Sequence, residues 1–179
     1  MVTPNQFQTH EDRIMHEINA LPGWHAERFD TQRFDKTTQK NLHERGVESV
    51  LRHLPDLIAT HENGVHVLIE CKSVTPRQFQ SGNYTIETHS LESCLFWVRS
   101  GVPVLIVWHD LSASCPIDVD TRAGKSAGPK SRNGSGDPYY LVERKHLKRF
   151  SLSLSEYLCR LASGNWDTFD QLSLIVDQP

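Results

Sequence analysis

Residues 55–72 read PDLIATHENGVHVLIECK, and the fold of the chain turns on how this stretch pairs with itself. Two β-prone runs flank His61-Glu62-Asn63-Gly64, and Asn-Gly between apolar runs is a strong hairpin signal. In the second run, alternation sends Val65, Val67, Ile69 and Cys71 to one face and His66, Leu68, Glu70 and Lys72 to the other. The first set makes a core face. On the second, a carboxylate and an ammonium stand side by side at the end of an otherwise apolar strand. Folding about Asn63-Gly64 pairs Ala59 and Thr60 with residues near Val67 and carries Asp56 towards the Glu70 end. Asp56, Glu70 and Lys72 are thereby expected to converge. The bland alternative is a surface salt bridge beside a turn.

Two carboxylates offering oxygen ligands suit a hard cation, Mg²⁺ or Mn²⁺. Such an ion would polarise a scissile phosphate and lower the pKa of a bound water. Lys72 would orient or deprotonate that water, or stabilise charge developing on the phosphate.

Outward from the hairpin, Phe7, Ile14, Ile18 and Leu21 recur at helical spacing, predicting a helix over 6–21 that Pro22-Gly23 stops. A short strand is expected over 24–29, then a polar, basic excursion over 30–48, either a long loop or partly helical. On the other side, Leu91, Leu95 and Val98 predict a helix over 86–100, ended by Gly101. VPVLIVW (102–108) is so uniformly apolar that it reads as a strand buried on both faces. Residues 112–138 include TRAGKSAGPKSRNGSG, a composition that predicts a flexible basic loop. Beyond it come an edge strand over 139–142 and a helix over 155–161 with Ser155 as N-cap. LSLIV in the tail reads as a last strand or a docking segment. The expected fold class is α/β, a mixed central sheet flanked by helices in an α/β/α core, in a single domain spanning 1–179.

The 179 residues are 37% hydrophobic and 23% charged, an ordinary balance for a globular chain. No apolar run is long enough to cross a membrane. MVTPNQFQTHEDR has no basic patch leading into an apolar stretch, so no secretory signal is expected. Four cysteines lack any C-x-x-C pairing, which predicts reduced thiols and a cytoplasmic protein, or a phage or mobile-element protein acting in a host cytoplasm. A net charge of −3 counts against nucleic-acid binding. The positive residues are nevertheless uneven, with Arg33, Lys36, Lys40, Arg45 and Arg52 in one stretch and Arg122, Lys125, Lys130 and Arg132 in another.

The segment PDLIATHENGVHVLIECK resembles the PD-(D/E)xK nuclease superfamily, with Pro55-Asp56, a hairpin, then Glu70-Cys71-Lys72. From Arg52 to Ser73 it is most similar to the archaeal-type Holliday junction resolvases. The resemblance implies a metal-dependent endonuclease acting on DNA, as a homodimer when the enzyme is a resolvase. A restriction-type or repair endonuclease of the same superfamily is the first alternative, and a non-catalytic nucleic-acid-binding module the second. It implies Asp56, Glu70 and the Cys71 backbone carbonyl as metal ligands, Lys72 as catalytic, and a further glutamate from the first helix. Glu11 and Glu17 are the candidates. Glu11 is preferred because it lies within the apolar stripe, where an acid is costly unless paired or bound to metal. A polar residue supporting Lys72 is expected at Glu87 or His89. DNA contacts are expected from Arg52, His53, Ser73, Arg33 and Lys36, and from Lys125, Lys130 and Arg132 in the basic loop.

Overall fold

The computed structural model describes residues 9–29, 35–44, 53–73, 82–120, 124–126, 138–149 and 151–164. In chain order its elements begin with α1 (His10–Asn19), β1 (Trp24–Arg28), α2 (Lys36–Glu44), β2 (Leu57–His61) and β3 (His66–Lys72). There follow β4 (Asn83–Glu87), α3 (Thr88–Arg99), β5 (Val104–Trp108), β6 (Ser112–Ser114) and the short α4 (Pro116–Asp118). The last are β7 (Gly124–Ser126), β8 (Tyr139–Glu143), α5 (Arg144–Leu147), β9 (Leu152–Ser153) and α6 (Leu154–Ala162).

The hairpin forms as its residues dictate. β2 and β3 are antiparallel, with Ala59 opposite Val67 and Thr60 opposite His66. At the turn Gly64 takes φ 91°, a left-handed conformation that a side chain would resist. Asn63 accepts from the Val65 N–H (3.1 Å), and its amide donates to the Ala162 carbonyl (2.7 Å), tying the hairpin tip to the end of α6. β1 pairs antiparallel with β2, and β5 lies parallel to β3, placing Ile106 beside Glu70 and Trp108 beside Lys72. Among the described residues one sheet has six strands in the order β1-β2-β3-β5-β6-β9, and a second has three in the order β4-β8-β7.

Helices cover the large sheet on both faces, so the chain is a mixed α/β fold around a mixed sheet. On one face Ile14 and Ile18 of α1 and Leu154, Tyr157, Leu158 and Leu161 of α6 pack on Val67, Ile69, Leu105 and Val107. On the other, Leu91, Cys94, Leu95 and Val98 of α3 meet Leu68, Val104, Ile106 and Trp108. Every residue of β5 is buried because its alternate side chains enter the two cores, as its unbroken apolar run predicted. Among the described residues no helix is long and apolar enough to cross a membrane.

Four expectations are corrected. The helix predicted over 86–100 begins at Thr88, and the residues before it form β4. Tyr84 and Ile86 alternate inward there, and the β-branched and aromatic content of NYTIE favours a strand over extending the helix. The stretch 112–138 opens with β6 and α4 rather than a loop, since Ala113, Cys115, Pro116 and Val119 are buried, and it also contributes β7. A composition averaged over 27 residues hides that apolar start. β8 is the central strand of its sheet, not an edge, being paired with β4 and β7. The last helix is capped by Ser153, whose side chain accepts from the Glu156 N–H, two residues before the predicted cap. Phe7 and the LSLIV tail lie outside the described residues.

Candidate active site

Asp56, Glu70 and Lys72 meet where the apolar face under α3 runs out. Strand alternation puts all three on the side of Ile58 and Leu68, and the hairpin register sets Leu57 opposite Ile69, so Asp56 arrives beside the Glu70-Cys71 step. Asp56 Oδ2 accepts the Cys71 backbone N–H at 2.6 Å, a tie between the two strands beyond their last ladder pair. Lys72 Nζ stands 2.7 Å from Glu70 Oε1 and 2.7 Å from Glu87 Oε2. It also donates to Ser90 Oγ on α3, at 3.3 Å. The Glu70 side chain is only 7% exposed and that of Lys72 13%, so the pair lacks the solvent screening that makes a surface salt bridge cheap.

The electrostatics follow from this crowding. Burial, and then the neighbouring Glu70 carboxylate, push Asp56 up from 3.8 to about 8, despite its hydrogen bond from Cys71. Burial alone would lower Lys72, but the carboxylates of Glu70 and Glu87 outweigh it and hold the ammonium well above the ordinary lysine range. Burial likewise works against ionised Glu87, yet Lys72 brings its carboxyl below the usual value. The Cys71 thiol faces the α1 core, where burial first, and the nearby acids next, raise it well above its ordinary value. Cys71 therefore has only its backbone to offer the site.

Of the first-helix acids, Glu11 is partly buried and its charge is felt at both Asp56 and Cys71. Glu17 is exposed and lines a different cleft with Leu21, Leu111 and Ser153 to Ser155. Among the described residues no three His, Cys, Asp or Glu side chains gather closely enough to hold a metal ion. The Glu70 charge is felt at Asp56, and Glu70 and Glu87 share the Lys72 ammonium.

Glu87 contacts Lys72 directly, whereas His89 turns its ring onto His53, with centroids 3.8 Å apart. The His53 carbonyl accepts from Ser93 Oγ (2.5 Å), pinning the approach to β2 against α3. Ser73 is exposed just past Lys72, and Lys36 is exposed at the start of α2. Arg33, Arg52, Lys130 and Arg132 lie outside the described residues, as does the side chain of Lys125, whose backbone belongs to β7. Nothing in the sequence pattern had pointed to Ser90 and Ser93. Their signal is two small hydroxyls on the otherwise apolar, core-facing side of α3.

Compared with models of known protein families the chain matches none, and no curated protein matches it in sequence.

Proposed function

We propose that the protein is a divalent-metal-dependent endonuclease that hydrolyses DNA phosphodiester bonds, a PD-(D/E)xK enzyme of resolvase-like character acting as a homodimer. The observation that carries this reading is the pair of crowded carboxylates, Asp56 and Glu70, beside a lysine held protonated. An acid pushed up to about 8 by burial and a like charge is in a place that favours added positive charge. The donor set fits Mg²⁺ or Mn²⁺, since Mg²⁺ is commonly held by one or two carboxylates with water and substrate phosphates completing its shell. Asp56, Glu70 and the Cys71 carbonyl would hold the ion, with Glu11 near enough to add negative charge. Bound there, the cation supplies Lewis-acid stabilisation of charge on the phosphate.

The chain's own groups do the rest. The Cys71 N–H fixes the Asp56 carboxylate, leaving its other oxygen for a ligand. Glu87 and Ser90 aim the Lys72 ammonium from the α3 side. With Glu70 and Glu87 holding it protonated, Lys72 is placed to serve as a charge and hydrogen-bond donor to a phosphate oxygen or a water.

The test is cleavage of labelled four-way junction, linear duplex and single strand with Mg²⁺, Mn²⁺ or EDTA. Asp56→Asn and Glu70→Gln are expected to lower metal-dependent cleavage by about 10²-fold or more while the fold persists. Symmetric nicking confined to the junction supports the resolvase-like reading. Wild-type rates in either variant would sink the assignment of these residues.

A further inference from the structure

A second positively charged feature lies away from the carboxylates. The run Glu143-Arg144-Lys145-His146-Leu147-Lys148-Arg149 places four Lys and Arg residues within six positions. Leu147 is buried and anchors the segment in the core under α3. Around it opens a cleft of about 500 Å³ lined by Gly82, Asn83, Glu143, Arg144, Lys145 and Lys148. The Arg144 N–H donates to the Gly82 carbonyl (3.0 Å), stitching the two walls together at the backbone.

Among the described residues of the lining, three cations stand against one acid, a positive balance within a chain whose net charge is −3. Arg144 reaches Asp110 at 3.4 Å, while Lys145 meets Glu143 at 3.1 Å with its own side chain 76% exposed. An ion pair that exposed is worth little in water, so a phosphate can take over its lysine.

The cleft is also well placed. Asn83, at its wall, opens the strand that ends at Glu87, the partner of Lys72. Four residues of strand at about 3.3 Å each put the two ends of β4 roughly 13 Å apart. One strand of duplex DNA advances about four nucleotides over that distance. Tyr84, next along β4, stacks on Trp108 (5.0 Å between centroids), so strand, cleft and catalytic edge are held against one another.

We infer that the cleft formed by Arg144, Lys145 and Lys148 with Gly82 and Asn83 is a phosphodiester-binding site that grips the DNA backbone a few nucleotides from the bond presented to Lys72. The inference rests on the nuclease reading for its substrate, but its test reads binding alone. The cations of this cleft lie outside the two basic stretches that stand out in the sequence.

The experiment is fluorescence-anisotropy binding of a labelled duplex in EDTA, across a salt series, with wild type, Lys145→Ala/Lys148→Ala and, as a control, Arg160→Ala. Arg160 is a surface arginine of α6 paired with Glu156. The double variant is expected to bind roughly tenfold or more weakly, with the slope of log K against log salt shallower by roughly two, at ~0.9 for each phosphate no longer neutralised. The control should match wild type. Unchanged affinity and slope in the double variant overturn the inference. So does an equal loss in Arg160→Ala, which would mean net charge alone matters. Full displacement of DNA by inorganic pyrophosphate at matched ionic strength would assign the cleft to a small anion instead, and a wild type that binds no DNA also refutes it. The two readings part cleanly. Wild type that binds through the cleft yet cuts nothing keeps the cleft and removes the nuclease, while cutting with unchanged binding in the double variant does the reverse.

Discussion

Lys72 carries two carboxylates at 2.7 Å each, and this fixes what its loss must do. Lys72→Ala strips the counter-charge from the buried Glu70, and removing one member of a buried ion pair costs about 3–5 kcal/mol. Glu87→Gln leaves Lys72 its Glu70 partner and keeps an oxygen acceptor, so about 1 kcal/mol is expected. Chemical denaturation of both variants checks the ranking, and an equal or larger loss in Glu87→Gln would show that Glu87 is the main partner. Asp56, Glu70 and Lys72 were legible in the sequence because one hairpin and the two-residue alternation of a strand bring them together. Ser90, Ser93 and the direct Glu87 contact depend on how α3 folds back over the sheet, and no local pattern encodes that. Helical spacing preferred Glu11 to Glu17; of the two, Glu11 is the partly buried one and its charge is a lesser influence on Asp56, after burial and Glu70.

The elements show the same division. VPVLIVW announced a strand buried on both faces, and β5 is one, parallel to β3. The parallel pairing requires a crossover, and β4 lies inside it, where Glu87 runs directly into Thr88 of α3 with no turn residue to mark the boundary. The basic stretch, whose composition suggests a loop throughout, contributes β7 to the edge of β8, with Gly124 opposite Val142 and Ser126 opposite Tyr140. Deleting that stretch would therefore strip β8 of a partner as well as removing charge. The sharper variant is Lys125→Ala with Lys130→Ala and Arg132→Ala, which leaves the β7 backbone in place. If this segment touches DNA, the salt slope of binding drops by up to ~0.9 for each phosphate it had neutralised, read in the same anisotropy titration. An unaltered slope makes the segment a passive insertion.

Across the whole molecule, the raised Asp56 links stability to pH. Its unfolded value is 3.8 and its folded value about 8, so the folded state holds the proton more tightly. The stability it contributes is present in full below about 3.8 and falls away as the pH climbs through about 8. Glu87 and Asp110 are depressed and act in the opposite sense, losing their contribution as the pH falls below the ordinary carboxylate range. In EDTA the melting temperature is accordingly expected to decline from pH 6 to pH 8.5. If Asp56 holds Mg²⁺ as proposed, the ion competes with the proton there, and its stabilising shift should be larger at pH 8.5 than at pH 6. Differential scanning fluorimetry at both values tests this, and Asp56→Asn should flatten both trends. A Mg²⁺ shift equal at the two pH values would separate Asp56 from the metal.

Both acids of the pair come from one antiparallel hairpin, joined by a turn that Asn63 and Gly64 shape on their own. Hairpins close in roughly 1–10 μs, whereas contacts between distant segments wait on longer loops. In folding order, then, the negative half of the centre assembles with its hairpin, while Glu87 and Ser90 reach Lys72 only once β4 and α3 have docked. If the centre takes a cation as proposed, the ion would meet a nascent chelate at that moment and would template the chain before acting on any substrate.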